Sequence, residues 1–186
     1  EWVIRKNLEL MAAAGVDAIC TDETNLSWVH SQGAFSVLRT MHKMRQDGID
    51  APQYVQILRW GDTIYTKVGL ENLYNSYYGS GLYSDCWYYH DGKPLVMAAK
   101  TGEIAKTTGI EKIDTIRQEI LDFFTFRPCH AGYKTVSEGE WWPWCSVAPQ
   151  PGFNYQNDTG KYEMVAVSVA QNSNDAADSY TAMTDD

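Results

Sequence analysis

The chain has 186 residues, with 15 Lys+Arg against 24 Asp+Glu, a net charge of -9 and 44% hydrophobic residues. This composition is typical of a globular domain and excludes an intrinsically disordered chain. The acidic balance, without a basic stripe, argues against nucleic-acid binding. No apolar run approaches the roughly 18–20 residues of a membrane-spanning helix, so we expect no membrane insertion.

The first predicted elements are an amphipathic helix and a short strand. Apolar residues recur at i, i+4 and i+7 from Ile4 to Met11, and Gly15 follows where a glycine typically stops a helix. The apolar run at 16–20 predicts a buried parallel strand, which ends in the polar tip Thr-Asp-Glu-Thr-Asn at 21–25.

The same alternation continues through the middle of the chain. Apolar residues at helical spacing over 34–44 predict a second helix, which Gly48 ends. A strand is predicted at 54–59, a third helix at about 70–78 and further strand material at 86–89.

The second half opens with a predicted hairpin. The Asp-Gly dipeptide at 91–92 lies between two β-prone runs, so residues 88–96 are expected to form two paired strands. A fourth helix is predicted at about 110–121, followed by strands at 123–127 and 163–170.

Alternating strands and helices predict the α/β class with a parallel sheet. A doubly wound sheet usually has a glycine-rich turn after its first strand, and the segment 22–25 contains no glycine. A (β/α)8 TIM barrel places polar groups after several strands, which fits better. Because a full barrel needs about 250 residues, we expect a single domain over 1–186 that forms the middle of a barrel, without its first and last strands.

Polar and aromatic residues that follow the predicted strands are the candidate site residues. Glycoside hydrolysis needs two carboxyl groups that face one bond. Neighbouring strand residues point to opposite faces, so Asp22 and Glu23 are not expected to be that pair, and Asp22 is the candidate catalytic residue. The candidate substrate-binding residues are Asn25, Trp60, Tyr89, Arg127, Trp142, Trp144 and Gln171.

Each of these assignments has a structural alternative. Three Trp in the segment 141–144 suit stacking against pyranose rings, or they form a hydrophobic plug over the core. Arg127 either orients a carboxylate or sugar hydroxyl, or it forms an ion pair at a strand end. The polar tip at 21–25 is equally typical of a helix N-cap.

The histidines and cysteines show no spacing typical of a metal site, so we expect neither a metal nor another cofactor. Cys20 and Cys86 lie in apolar surroundings and are predicted to be buried free thiols. A disulfide bond is the alternative if the parent protein is exported.

Several stretches together resemble one enzyme group. The segment VIRKNLELMAAAGVDAICTDETN at 3–25 is similar to the early helix, strand and polar tip of glycoside hydrolase barrels related to the endo-α-mannosidase families 99 and 71. The segment GLYSDCWYYHDGKPLVM at 81–97 resembles their middle hairpin. The short stretches FFTFR, WWPW and VSVAQ resemble later strands and loops of bacterial members.

This resemblance implies a TIM-barrel hydrolase, secreted or periplasmic, that acts on an α-linked oligo- or polysaccharide without a metal. It also implies that the catalytic acid/base carboxylates lie beyond Asp186, so we expect this chain to supply the substrate-binding half of the site and to be inactive alone. The alternatives are a non-catalytic carbohydrate-binding protein on the same scaffold, and a metal-dependent barrel enzyme.

Overall fold

The computed structural model describes residues 1–24, 31–58, 64–98, 116–130, 142–143, 152–154 and 160–166. They belong to two compact units, Glu1–Phe126 and Arg127–Asp186, each of which is described by itself. The expected single domain over 1–186 stays a prediction. Among the described residues no helix has the length and apolar character needed to cross a membrane.

The first unit alternates helices and strands. In chain order its elements are α1 (Trp2–Ala13), β1 (Ala18–Asp22), α2 (Ser31–Gln46), β2 (Gln53–Ile57), α3 (Ile64–Leu73), a π-helical turn (Tyr74–Tyr78), a 3-10 turn (Ser84–Cys86), β3 (Tyr89–His90), β4 (Lys93–Met97), α4 (Gln118–Phe123) and β5 (Thr125–Phe126).

The strands form one sheet in the order β1-β2-β4-β5, and these four strands are parallel. β3 pairs antiparallel with β4 as a hairpin, with Tyr89 opposite Pro94. The turn between them has positive φ at both Asp91 and Gly92, which a two-residue hairpin turn requires. The predicted α/β class and the predicted hairpin are therefore confirmed.

The residues just before β3 separate the amino-terminal halves of β2 and β4. The amide of Tyr88 donates to the carbonyl of Tyr54 at 3.1 Å, and its own carbonyl accepts from the amide of Leu95 at 2.9 Å. β2 and β4 pair directly at their carboxyl ends, where Gln56 lies opposite Val96. The sheet is thus wider at its amino end than at its carboxyl end.

All four helices of the described part of the first unit bury side chains against one face of this sheet. Alternate residues of a strand share a face, and Tyr54, Leu58 and Val96 belong to the same core cluster as the helices. The helical members of this cluster include Leu8, Leu38, Met41, Met44, Leu70, Leu73, Ile120 and Leu121.

The other face of the sheet carries a different set of side chains. Val55, Leu95 and Met97 are buried there, and they lie outside the helix-covered core cluster. The Cys20 Sγ lies 3.8 Å from the Met97 Sδ on this face, which we call the open face. It is defined by these four residues together with Asp22, which shares the face of Cys20 by strand alternation.

Most predicted elements occur, with shifted boundaries. The helices that begin near Ile4 and Ala34 are confirmed, and Gly15 and Gly48 adopt positive φ after them. The first strand begins at Ala18 and is only partly buried. Its prediction as a buried strand was wrong because it lies at the edge of the described sheet.

Two further expectations need correction. Cys86 is a buried free thiol as predicted, but Cys20 is exposed, since it lies on the edge strand. The strand predicted at 86–89 was wrong at Cys86, which ends a 3-10 turn; Trp87 is extended and forms an isolated parallel bridge with Tyr54 before β3 begins at Tyr89. The predicted helix at 110–121 is seen as α4 from Gln118 onward; residues 101–115 lie outside the described part.

The second unit contains four short strands among its described residues. β6 (Cys129–His130) and β7 (Trp142–Pro143) are parallel, while β8 (Gly152–Phe153) and β9 (Met164–Val165) are antiparallel. The predicted strand at 163–170 is confirmed in its first part, and residues 167–170 lie outside the described part.

Two glycine substitutions should change stability in opposite directions. Gly92→Ala places a side chain at φ +78°, where nothing within 4 Å clashes, so only the backbone is strained and stability should fall by about 1–2 kcal/mol. Gly33→Ala, in the exposed first turn of α2 and equally free of clashes, should raise stability by roughly 0.5–1 kcal/mol. Urea-induced unfolding measures the stability of both variants. A Gly92→Ala variant as stable as the parent chain would contradict the positive φ of this turn.

Candidate functional site

The carboxyl end of the parallel sheet presents two carboxylates on opposite faces. Asp22 ends β1 on the open face and is exposed, and its Oδ1 accepts a hydrogen bond from the Thr24 amide at 2.8 Å. This local turn orients the Asp22 side chain and leaves its carboxylate accessible to solvent. Asp22 can therefore meet a ligand at this end of the sheet.

Glu23 lies on the helix-covered face and is only 2% exposed. Its amide donates to the carbonyl of Ile57 at 2.9 Å, which extends the pairing of β1 and β2 by one residue. Burial is the main cause that raises the pKa of Tyr54 and Tyr77, and the charge of Glu23 adds to it. The expectation that Asp22 and Glu23 do not face one bond agrees with this arrangement.

Buried and partly buried polar groups form a row with Glu23 on the helix-covered face. The Tyr54 hydroxyl and the Thr21 Oγ1 are 2.6 Å apart, and the Tyr77 hydroxyl donates to the Gln56 Oε1 at 3.2 Å. Burial raises the pKa of Tyr77 to about 12 and raises the pKa of Tyr54 further. These phenols are therefore neutral hydrogen-bonding groups in the folded protein at neutral pH.

The π-helical turn places two adjacent tyrosines in the interior. Tyr77 reaches the buried polar row, and Tyr78 stacks on Trp87 with ring centroids 4.4 Å apart. An open groove of about 440 Å³ lies between this turn and the first turns of α2. It is lined by Gln32, Phe35, Ser36, Ser76 and Tyr77, so its described lining carries no formal charge.

The structure separates Tyr89 from Asp22. Tyr89 was expected at the carboxyl end of a strand of the parallel sheet, and this placement was wrong because β3 runs antiparallel to β4. Tyr89 lies beside Pro94, near the amino end of β4, whereas Asp22 lies at the carboxyl end of β1. Trp87 is 3% exposed and belongs to the core.

In the second unit two candidate residues meet around a carboxylate. Arg127 directly follows β5 and forms a bidentate ion pair with Glu163, with Nε at 2.9 Å from Oε2 and Nη2 at 2.7 Å from Oε1. The Trp142 Nε1 donates to the same Oε2 at 3.3 Å, and the guanidinium lies 5.8 Å from the Trp142 ring centroid. The structure therefore supports the ion-pair interpretation of Arg127.

Glu163 is a site residue that the sequence interpretation missed, since it appeared there only as the first residue of a strand. Its amide donates to the Asn154 Oδ1 and to the Phe153 carbonyl, each at 3.0 Å, which positions it at the β8–β9 pair. A charged residue next to an apolar strand is common in sequences. The role of Glu163 is therefore identified only by its contact with Arg127 in the folded structure.

A third group of polar residues joins α2 to the 3-10 turn. His42 lies 2.8 Å from Asp85 through its Nδ1, and the ligand atoms of these two residues and of Cys86 all lie within 4.8 Å of one another. Burial raises the pKa of the Cys86 thiol to about 12, against the opposing charge of Arg45. This cluster was not anticipated from the sequence, because His42 lies 43 positions before Asp85.

The remaining candidate residues Asn25, Trp60, Trp144 and Gln171 lie outside the described residues, so their roles stay predictions. No protein-family model matches the chain, and neither a curated protein nor a solved structure does. The proposed function therefore rests on the fold and on the chemistry of these residues.

Alkaline pH should destabilise the protein through its buried phenols. Tyr77 has a raised pKa, so its contribution is complete below about pH 10 and is lost between about pH 10 and 12, as unfolding releases the phenolic proton. The loss should reach roughly 2–3 kcal/mol for this residue alone.

Unfolding in urea at pH 8, 10 and 11.5 measures this effect. Tyr77→Phe should show a smaller decrease in stability with pH, and Tyr162→Phe, which changes an exposed tyrosine, should behave as the parent chain. Equal pH dependence in all three proteins would contradict the role of Tyr77.

Removing the charge of Glu163 should destabilise the second unit. Glu163→Gln removes the negative charge with which the nearly buried Arg127 forms its bidentate ion pair, and we expect a loss on the order of 3 kcal/mol. Glu9→Gln removes a partly exposed ion pair with Arg5 and should change stability by less than about 0.5 kcal/mol. Urea-induced unfolding followed by circular dichroism compares them; similar losses would show that the Arg127 pair contributes little.

Proposed function

We propose that the chain forms part of a (β/α)8 glycoside hydrolase acting on α-linked glycans, in which this segment supplies the substrate-binding side of the site. One observation carries the proposal: four parallel strands stand in chain order, and the described helices of that unit cover one face. Right-handed crossovers that always advance in the same direction produce this arrangement, and its continuation closes a barrel. A doubly wound sheet reverses direction and has helices on both faces.

In a barrel of this kind the face without helices is the interior. The buried side chains of Val55, Leu95 and Met97 on the open face suit such an interior, which packed apolar side chains fill. The carboxyl ends of the strands then form the mouth of the barrel, where binding and catalytic groups lie. Asp22 is the exposed carboxylate of the open face at this end.

The substrate class is inferred from the chemistry of the candidate binding residues and from the resemblance to the endo-α-mannosidase barrels. A carboxylate accepts hydrogen bonds from sugar hydroxyls, and aromatic side chains such as the predicted Trp60 and Trp144 offer flat apolar surfaces to pyranose rings. The α-linkage is inferred from the similarity of residues 3–25 and 81–97 to the endo-α-mannosidase barrels.

One observation favours the non-catalytic alternative. Glycoside hydrolysis needs a pair of carboxyl groups at one bond. Among the described residues Asp22 and Glu23 lie on opposite faces of the sheet, and the carboxylate of Glu163 is held by Arg127. A carbohydrate-binding protein on the same scaffold would use Asp22 as a hydrogen-bond acceptor and would release no product.

Titration of the chain with α-linked mannose oligosaccharides, followed by intrinsic tryptophan fluorescence, tests the proposal. Asp22→Asn keeps an oxygen that accepts from the Thr24 amide, so the local turn is retained while the charge is lost. Loss of one charge-assisted hydrogen bond should weaken binding about 10–100-fold. Asp17→Asn, just before the amino end of β1, is the matched control and should bind as the parent chain does.

The outcomes test whether a sugar site lies at the carboxyl end of the sheet and whether Asp22 belongs to it. Saturable binding that Asp22→Asn weakens and Asp17→Asn does not would support a sugar site at the carboxyl end of the sheet. Release of shortened oligosaccharides by the chain would exclude the non-catalytic alternative, whereas binding without release is expected of this segment under both hypotheses. Binding that is unchanged in Asp22→Asn would exclude Asp22 from the site.

A further inference from the structure

Three metal-ligating side chains of different chemistry converge at the junction of α2 and the 3-10 turn. The Nδ1 atom of His42 lies 2.8 and 2.9 Å from the two carboxylate oxygens of Asp85. The Sγ of Cys86 completes the group, in which all ligand atoms lie within 4.8 Å of one another. We call these three residues the His–Asp–Cys cluster.

We infer that the His–Asp–Cys cluster binds a zinc ion. Imidazole nitrogen, thiolate sulfur and carboxylate oxygen are the three ligand types that Zn²⁺ takes in proteins, whereas Ca²⁺ and Mg²⁺ take oxygen ligands. Three protein ligands leave a fourth tetrahedral position, which a water molecule fills.

The distances within the cluster suit a tetrahedral ion after small movements. Zinc bonds of about 2.0–2.3 Å place two ligand atoms roughly 3.4 Å apart. The His42 Nδ1 and an Asp85 oxygen lie 2.8 Å apart, which is shorter than this value. The three ligand atoms together lie within 4.8 Å of one another, which exceeds it. The side chains of His42 and Asp85 are 34% and 39% exposed, so they can rotate and admit an ion from solvent.

The charges of the cluster also suit a divalent cation. The Asp85 carboxylate and a Cys86 thiolate together neutralise Zn²⁺. On binding, the Cys86 S–H bond breaks, a Zn–S bond forms and the proton passes to solvent, without any change of oxidation state. Arg45 lies 3.6 Å from the Cys86 Sγ and only partly offsets the burial that raises the pKa of this thiol, so the ion itself has to displace the proton.

A neighbouring side chain can orient the histidine ligand. The Gln46 amide lies 3.0 Å from the Nε2 of His42, one helical turn further along α2. The facing atom is the Gln46 amide nitrogen; a flip of this amide would turn its oxygen toward the ring, where it accepts a hydrogen bond from the Nε2–H of His42 and leaves Nδ1 unprotonated for the metal. Metal-binding histidines typically have such a partner on the second ring nitrogen.

A metal here would fasten the 3-10 turn to α2. That turn directly precedes Trp87 and Tyr88, which separate the amino ends of β2 and β4. The turn begins after Tyr83, a non-glycine residue in the left-handed region at φ 59°, and its ring packs 5.1 Å from the His42 ring. Zinc would therefore join this turn to α2 near the amino end of the sheet, whereas the proposed sugar site lies at the carboxyl end.

Calorimetric titration of the full chain with ZnSO₄, and absorption spectra with Co²⁺ as a substitute, test the inference. We expect one Zn²⁺ per chain and a thiolate-to-Co²⁺ charge-transfer band. Cys86→Ser should abolish the band and weaken Zn²⁺ binding at least 10-fold. Cys129→Ser replaces an equally buried cysteine outside the cluster and should retain both.

Two further variants keep the test decisive if Cys86→Ser fails to fold. His42→Ala changes a half-exposed side chain and should weaken Zn²⁺ binding at least 10-fold, and Gln46→Ala should weaken it about 10–100-fold through the ring orientation. Absence of stoichiometric binding, a Co²⁺ complex without a thiolate band, or unchanged affinity in His42→Ala would each overturn the inference.

Discussion

The packing of all described helices of the first unit against one face of the sheet depends on the middle strand β2. Tyr54 is fully buried there and connects three parts of the fold. Its ring belongs to the helix-covered core, its hydroxyl bonds to Thr21 of β1, and its carbonyl accepts from Tyr88 beside β4. A buried phenol needs such a partner, since an unsatisfied hydroxyl in an apolar core is costly.

This one-sided burial also decides what the two carboxylates at the end of β1 can do. The strand period of two places Asp22 and Glu23 on different faces, so one meets solvent and the other meets the tyrosines of the core. Glu23 thereby becomes part of a buried polar row that includes Gln56 and Tyr77. The neighbouring residues thus have separate environments and separate chemical uses.

Features that depend on local spacing could be predicted from the sequence, and features that depend on distant partners could not. The helical period that starts at Ile4 and the Asp-Gly turn at 91–92 are properties of a few consecutive residues. By contrast, the antiparallel direction of β3 moved Tyr89 away from the carboxyl end, and Arg127 is held by Glu163, 36 positions later. A hydrophobic pattern shows which face is apolar and does not show which residues cover it.

The π-helical turn links chain length to the arrangement of the interior. A π-helical turn contains one residue more than an α-helical turn, and here Tyr77 reaches Gln56 while Tyr78 stacks on Trp87. A relative one residue shorter at this turn would return to regular α-helical phase. It would keep either the contact with the polar row or the contact with the aromatic core. The extra residue therefore allows Tyr77 and Tyr78 to make both contacts at once.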